Sequence, residues 1–255
     1  MTYCIGVFMI EEGGRFAGWL GSILSIGLAS TTLAGRDLWD HVRAVNGPLD
    51  VGDLPAARQA VAMIVGRDTA ELSASEVARA TVETVAESAA DGVIAPLFYL
   101  AIGGAPLALA YKAVNTLDSM IGHQDKRYAD FGWASARLDD LTNWIPARIT
   151  AVLLIIGAGL TTGQLEQAHN GWRVFRRDRN KHPSPNSGRP EAAMAGILGV
   201  KLGGTNFYDG IAQERPVLGQ EGRDAEPGDI MSAVKVMVAA SVLGTSIAVG
   251  FRCLA

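Results

Sequence analysis

Polar residues stand in this chain where apolar sequence should carry it through a lipid core. Between Thr81 and Thr150, Glu83, Glu87 and Asp91 are spaced four apart, and Lys112, Asn115 and Asp118 three apart. The uncharged stretch 92–111 lies between these two sets, and a third set, Asp139, Asp140 and Asn143, follows. A step of four residues turns a helix by only about 40°, so each set lies along one helical face. The fold must therefore bury an apolar segment while keeping acid-lined faces at both of its ends. Acid clusters at the edge of lipid-grade sequence point to a cation and phosphate site at a membrane surface.

Four uncharged stretches occur in all: 16–35 and 92–111, each of 20 residues, and 149–164 and 236–251, each of 16. A spanning helix needs about 20 apolar residues, in a range of roughly 17–25. The first two are long enough and the last two marginal. The expected fold is all-α, a polytopic membrane protein with about four apolar helices and helical loops. Its alternative is a large soluble bundle that buries some of these runs. Gly103, Gly104 and Pro106 interrupt the second stretch, which suits a membrane helix or a re-entrant hairpin buried in protein. Four clean spans would put the Glu83 and Asp118 sets on opposite sides. A single site requires 92–111 to turn back. The loops 36–91, 112–148 and 165–235 carry five, five and ten basic residues, so charge asymmetry sets no orientation.

The polar regions read mostly as helix. Residues 54–65 place Leu54, Val61, Ile64 and Val65 at helical spacing. Ser73 with Glu76 forms a capping-box pattern for a helix running toward Asp91, with Gly92 as its stop. Asp229 reads as the N-cap of a last helix, and prolines make 178–190 a loop. No strand-like alternation of any length, internal repeat or low-complexity tract stands out.

Composition narrows the function. Hydrophobic residues make up 49% and charged residues 19%, and the net charge of −4 argues against a generic nucleic-acid partner. Cys4 and Cys253 form no metal or disulfide pattern. Glu11 and Glu12 precede the first apolar run with no basic stretch, so no cleaved signal peptide is expected. Like charges at Glu83, Glu87 and Asp91 repel, and a divalent cation or a basic partner would relieve them; the bland alternative is a solvated face with Arg79 one turn earlier. Asn115 and Asp118 offer oxygen ligands for Mg2+, and Lys112 offers an ammonium for phosphate or a snorkelling anchor. Arg137, Asp139, Asp140, Asn143 and Arg148 repeat that chemistry or make a surface salt-bridge lattice. The segment 176–191 gathers Arg176, Arg177, Arg179, Lys181, His182 and Arg189, a place for an anion or a lipid headgroup. His41, His123, His169 and His182 share no zinc-site spacing. There is no P-loop, dinucleotide fingerprint, nucleophile elbow or HExxH.

At these residues the chain resembles the adenosylcobinamide-phosphate synthase family of cobalamin biosynthesis. The matching segments are IVGRDTAEL at 64–72, ETVAESAADGVIAPLFY at 83–99 and GGAPLALAYKAVNTLDSMIGH at 103–123. RYADFG at 127–132, SARLDDLTNWIPARIT at 135–150 and PSPNSGRPEAAMAG at 183–196 continue the series. Ser88-Ala89-Ala90 stands where the family often has Asn-Thr-Val. Members usually begin with a further apolar segment, so 1–255 is expected to be a single membrane domain, N-terminally short. The resemblance implies a membrane enzyme that joins adenosylcobyric acid to an aminopropanol phosphate through an amide, with ATP as co-substrate and Mg2+ as cofactor. It also implies a multi-pass protein in the lipid bilayer of the cell (inner) membrane. The site would face the cytoplasm, where ATP is, and other cobalamin-pathway enzymes are candidate partners.

For such a site, Glu83, Glu87, Asp91, Asp118, Asp139 and Asp140 are the expected Mg2+ ligands, directly or through water. Asn115 and Asn143 would orient them. Lys112, Arg137 and Arg148 would bind the transferring phosphate. Asn186, Arg189 and Glu191 would recognise substrate phosphate or amine. Two other readings stand beside this one: a Mg2+-dependent membrane transferase using a diphosphate substrate, and a non-catalytic membrane scaffold of a corrin-pathway complex.

Overall fold

Helix formation follows the local signals closely at α5. In the computed structural model, which describes residues 1–121, 129–163 and 165–254, Ser73 and Glu76 close the capping box that starts α5 (Ala74–Ser88). This helix sits at the centre of the core. Val77, Val82 and Val85 are fully buried against Val42 and Val45 of α3 (Gly35–Asp50) and Val61 of α4 (Leu54–Ala62). Met194 of α10 (Gly188–Leu198) and Ile230 of α11 (Pro227–Leu254) complete that packing. Each such side chain contributes about 1.5–3 kcal/mol by leaving water. α4 begins as its pattern predicts, with Asp53 accepting a hydrogen bond from Ala56 N.

Gly92 does not stop the helix. The chain passes from α5 through a π-helical turn, Ala89–Ile94, into α6 (Ala95–Ile121). The break comes at Gly104, where φ is 68° and ψ is −167°, a backbone region essentially reserved for glycine. There the chain doubles back. Tyr99 and Tyr111 stack at 5.0 Å, and the Tyr111 hydroxyl oxygen lies 3.3 Å from the Asp91 carbonyl. The run 92–111 is thus a folded-back hairpin. It brings both of its polar ends to the same side.

Three helices are long and apolar enough to cross a membrane among the described residues: Ala74–Ile121, Trp144–Thr161 and Pro227–Leu254. Exposed Ile156, Val242 and Ile247 give these helices an apolar outer surface suited to lipid. The chain is a mostly helical membrane protein. The stretch 16–35 is not a fourth span. α1 (Thr2–Phe16) ends there, Ala17 is extended, and α2 (Gly18–Ser30) has only 13 residues. α1 and α2 fold against each other where Gly21 meets the Ile10 carbonyl and Gly14 backbone.

α7 (Ala129–Thr142) leads through Asn143 into α8 (Trp144–Thr162), and α9 (Leu165–Asp178) packs against α10. The fold is not wholly α. β1 (Leu202–Tyr208) pairs antiparallel with β2 (Ile211–Leu218) across an Asp209-Gly210 turn with both residues at positive φ. β2 is mostly exposed on both faces, so no apolar alternation announced it. Asp229 is not the N-cap of α11. It lies in the first turn, where its carboxylate accepts from Glu226 N and pairs with Arg223 at 2.7 Å.

Candidate functional site

The doubled-back α6 hairpin places Asp91, Asn115 and Asp139 together. Asn115 Nδ2 donates to Asp91 Oδ2 at 3.5 Å and to Asp139 Oδ1 at 3.3 Å. Asn143, only 1% exposed, donates to Asp139 Oδ1 at 3.0 Å and accepts from the Tyr111 hydroxyl at 2.9 Å. Tyr99 donates to the Thr142 carbonyl and ties α7 to α6. Burial pushes the Asp139 carboxyl above its usual range, while the Asn143 and Asn115 amides pull it down. Asp140 is also raised by burial, opposed by Arg137.

A polar cavity of about 340 Å³ opens beside this node. Glu87, Asp91, Lys112 and Asn115 line one wall, and Asp37 and His41 of α3 line another. His41 Nδ1 donates to the Asp37 carbonyl at 2.8 Å, which leaves Nε2 facing away from that bond. Asp118 is half-buried, about one turn beyond Asn115 on α6. Among the described residues, no group of three or more His, Cys, Asp or Glu could hold a metal ion. The Asp91 and Asp139 pair still suits Mg2+, which takes one or two carboxylates plus water and substrate phosphate.

The acidic set of α5 divides. Glu83 points away from the cavity, into the β-hairpin. Its Oε2 meets Arg67 Nη2 at 2.5 Å and its Oε1 accepts from Gly203 N at 2.7 Å. Arg67 and Arg79 both donate to Asn206 Oδ1, and Arg79 also reaches the Gly203 and Thr205 carbonyls. Arg79 is therefore a tie to the sheet, not part of a solvated face. Glu87 lies between the cavity and buried Glu191 of α10. Burial, Glu87 and Glu83 together hold the Glu191 carboxyl well above the ordinary glutamate range. His182 Nδ1 accepts from Ser184 N at 3.0 Å, and its Nε2, buried and without a hydrogen bond, lies 4.0 Å from Glu191 Oε1.

The third group is basic. Arg148, one turn into α8, lies over the Trp144 ring at 3.8 Å. Arg179 follows α9, and Arg189 sits in the first turn of α10. Arg189 is 8% exposed, and its Nε donates to the Pro185 carbonyl. Asn186 Nδ2 donates to the Asp140 carbonyl at 2.9 Å, which joins this loop to the acidic node. Arg137 is exposed and rests over Trp133. His123 lies outside the described residues.

The structure thus gathers Asp91, Asn115, Asp139 and Asn143, sets Glu87 and Lys112 in the cavity wall, and ties Glu83 into the hairpin. Asp37, His41 and Tyr111 join from positions to which the sequence alone gave no role, while Arg67 pairs with Glu83 away from the cavity. Only Asp37 and His41 carried a local signal, their i,i+4 spacing at the start of an amphipathic helix.

The family profile described as CobD/Cbib protein matches residues 1–237. The cobalamin biosynthesis protein CobD of Citrobacter koseri is 48% identical over 255 residues, covering 100% of this chain and 79% of that protein. CobD of Geobacter metallireducens is 51% identical over 223 residues, 88% of this chain and 69% of its own length. The cobalamin biosynthesis protein CbiB of Salmonella typhimurium is 45% identical over 251 residues, 97% and 76% of the two chains. No solved structure matches the chain.

Proposed function

The chain belongs to the CobD/CbiB family, and on that premise we propose that it acts in cobalamin biosynthesis as a membrane-bound, ATP-dependent amide ligase. Its substrates are a corrin carboxylate, adenosylcobyric acid, and an aminopropanol phosphate. One observation carries this reading. Two carboxylates from distant segments, Asp91 and Asp139, share one Asn115 amide beside a cavity that also holds Lys112. That is an arrangement for polyphosphate and a divalent cation, placed where an apolar hairpin returns to its starting side.

A carboxylate and an amine do not condense unaided in water. The corrin carboxylate oxygen attacks the γ-phosphorus of ATP and ADP leaves. The amine nitrogen then attacks the acyl carbon, the bond to phosphate breaks, and inorganic phosphate departs. The ammonium sheds one proton before attack and a second after it. Mg2+, held by Asp91 and Asp139, would neutralise polyphosphate charge. Asn115 and Asn143 fix those carboxylates. Lys112 faces the phosphates from the cavity wall, and Asp118 and Asp140 support the acidic rim. The Glu87–Glu191 pair supplies negative charge for the ammonium, with His182 Nε2 beside it. Glu83 organises the hairpin that covers this region.

ATP consumption by the detergent-purified protein tests the proposal, with Mg2+, adenosylcobyric acid and aminopropanol phosphate each omitted in turn. ADP release that needs all three, with one amide gained by the corrin, is the expected result. ATP turnover indifferent to the amine would refute it.

A further inference from the structure

We infer that His41 of α3 contacts the substrate amine in the polar cavity and is the catalytic base that takes its proton as the amide forms. The inference rests on the ligase reading above and deepens it, since neither the acidic sets nor the basic segment of the sequence includes this residue.

α3 reaches the cavity because its apolar positions hold it in the core. Leu38 and Val42 are buried, and the residue before each, Asp37 and His41, lines the cavity. The start of the helix is tied to the opposite wall. Ala34 N donates to the Gly92 carbonyl at 2.9 Å, next to Asp91 in the π-helical turn. A Cβ at Gly92 would lie 3.3 Å from the Ala34 side chain, so glycine permits this close approach. Short π-helical turns within longer helices are frequent at functional sites. His41 thus shares one cavity of about 340 Å³ with Glu87, Asp91, Lys112 and Asn115.

Both polar contacts of His41 are with Asp37, one turn earlier on its own helix: Nδ1 lies 2.8 Å from the Asp37 carbonyl and 3.7 Å from Oδ1. A carbonyl can only accept, so Nδ1 carries hydrogen and Nε2 holds the lone pair of the neutral ring. The Asp37 carboxylate beside Nδ1 favours the imidazolium that forms when Nε2 takes a proton. The side chain is 39% exposed, which leaves the ring open to a ligand. The other charged groups lining the cavity suit the step less well. Glu87 and Asp91 serve the ammonium and the cation, Lys112 faces phosphate, and Asp37 is a carboxylate, a weaker base than imidazole. α4 and α11 also pack on α3 and bring no charged side chain to the cavity lining among the described residues. Imidazole exchanges protons near neutral pH, as a general base must. When the amine nitrogen bonds to the acyl carbon, the bond to phosphate breaks and its electron pair leaves with inorganic phosphate. The surplus proton on nitrogen passes to His41 Nε2 and then to water.

The test compares detergent-purified wild type with His41→Gln and with His169→Gln, an exposed histidine of α9 outside the cavity. In His41→Gln, kcat is expected to fall roughly 100-fold or more, while KM for aminopropanol phosphate stays within about threefold of wild type. Its melting temperature is unchanged, and the acidic limb of the kcat–pH profile disappears. His169→Gln keeps the wild-type kcat. In His41→Ala, added imidazole restores amide formation. Wild-type kcat in His41→Gln, or a slow variant that keeps the acidic limb with no imidazole rescue in His41→Ala, would overturn the base assignment. Carbethoxylation by diethyl pyrocarbonate, read by mass spectrometry at each histidine, needs no turnover. Aminopropanol phosphate is expected to protect His41 and not His169; equal labelling of His41 with and without it would overturn the contact. Protection of His41 in a protein that never turns over ATP would sink the ligase reading and keep His41 at the amine.

Discussion

Replacing Glu83 with Gln tests whether this residue holds the fold or performs the chemistry. Arg67 and Glu83 side chains are each 7% exposed and meet at 2.5 Å. Gln keeps an acceptor for Gly203 N, which Glu83 Oε1 now receives at 2.7 Å, so no backbone amide is orphaned. What is lost is the counter-charge of a buried guanidinium. Breaking a buried pair from one side costs about 3–5 kcal/mol. At about 2–4 °C per kcal/mol for a chain of this order, the melting temperature should fall by roughly 6–20 °C. Thermal unfolding of wild type and variant in one detergent measures this. Hydrogen exchange should rise at Gly203 and Thr205 before it rises in α8 or α11. The double variant Arg67→Met with Glu83→Leu should recover most of the loss, because both desolvation costs vanish together. Wild-type melting by Glu83→Gln, with amide formation abolished, would refute the structural assignment and return Glu83 to the reaction.

Asp139→Asn should lower turnover by roughly 100-fold, about 2.7 kcal/mol in barrier height, with folded yield intact. Asp118→Asn should likewise lower turnover sharply; wild-type rates in a steady-state ATP assay would remove either residue from the site. Gly104→Ala forces a side chain into a glycine-only region and should cost about 1–3 kcal/mol, read as a lower melting temperature. Glu191 has a raised folded pKa, from burial and from Glu87 and Glu83, so folding favours its protonated form. Its stabilising contribution is full below the unfolded glutamate pKa and is lost as pH rises through the folded value. Melting temperatures taken from pH 5 upward should therefore fall more steeply for wild type than for Glu191→Gln, and parallel curves would contradict this.

Local signals were legible at two helix starts, where the determining contacts lie within one turn, and misled at Gly92 and Asp229, where the helix runs on or begins two residues earlier. The Ser73–Glu76 box started α5, because a capping bond spans only three residues, and apolar spacing from Leu54 marked α4. Apolar length left the runs at 149–164 and 236–251 marginal, yet both lie in helices long enough to cross a membrane, because Trp144–Thr161 and Pro227–Leu254 extend beyond the uncharged residues. The same measure failed at 16–35, where two small-residue faces let α1 and α2 fold on each other and Ala17 opens the helix. It also failed for the hairpin at 202–218. Both faces of β2 meet water, so the Asp209-Gly210 turn was its only sign.

The sequence by itself determined that this is a helical membrane protein of one family, with acids and amides at the rim of an apolar run. Tertiary structure decided which of those acids meet. Glu83, Glu87 and Asp91 share a helical face by spacing, yet one pairs with Arg67, one faces Glu191 and one shares an amide with Asp139. Periodicity reports the direction of a side chain from its own helix, and nothing more. The partner waiting in that direction depends on loop returns and on the bend at Gly104, which are set by packing across more than 100 residues of chain, as the bond from Gly203 to Glu83 shows.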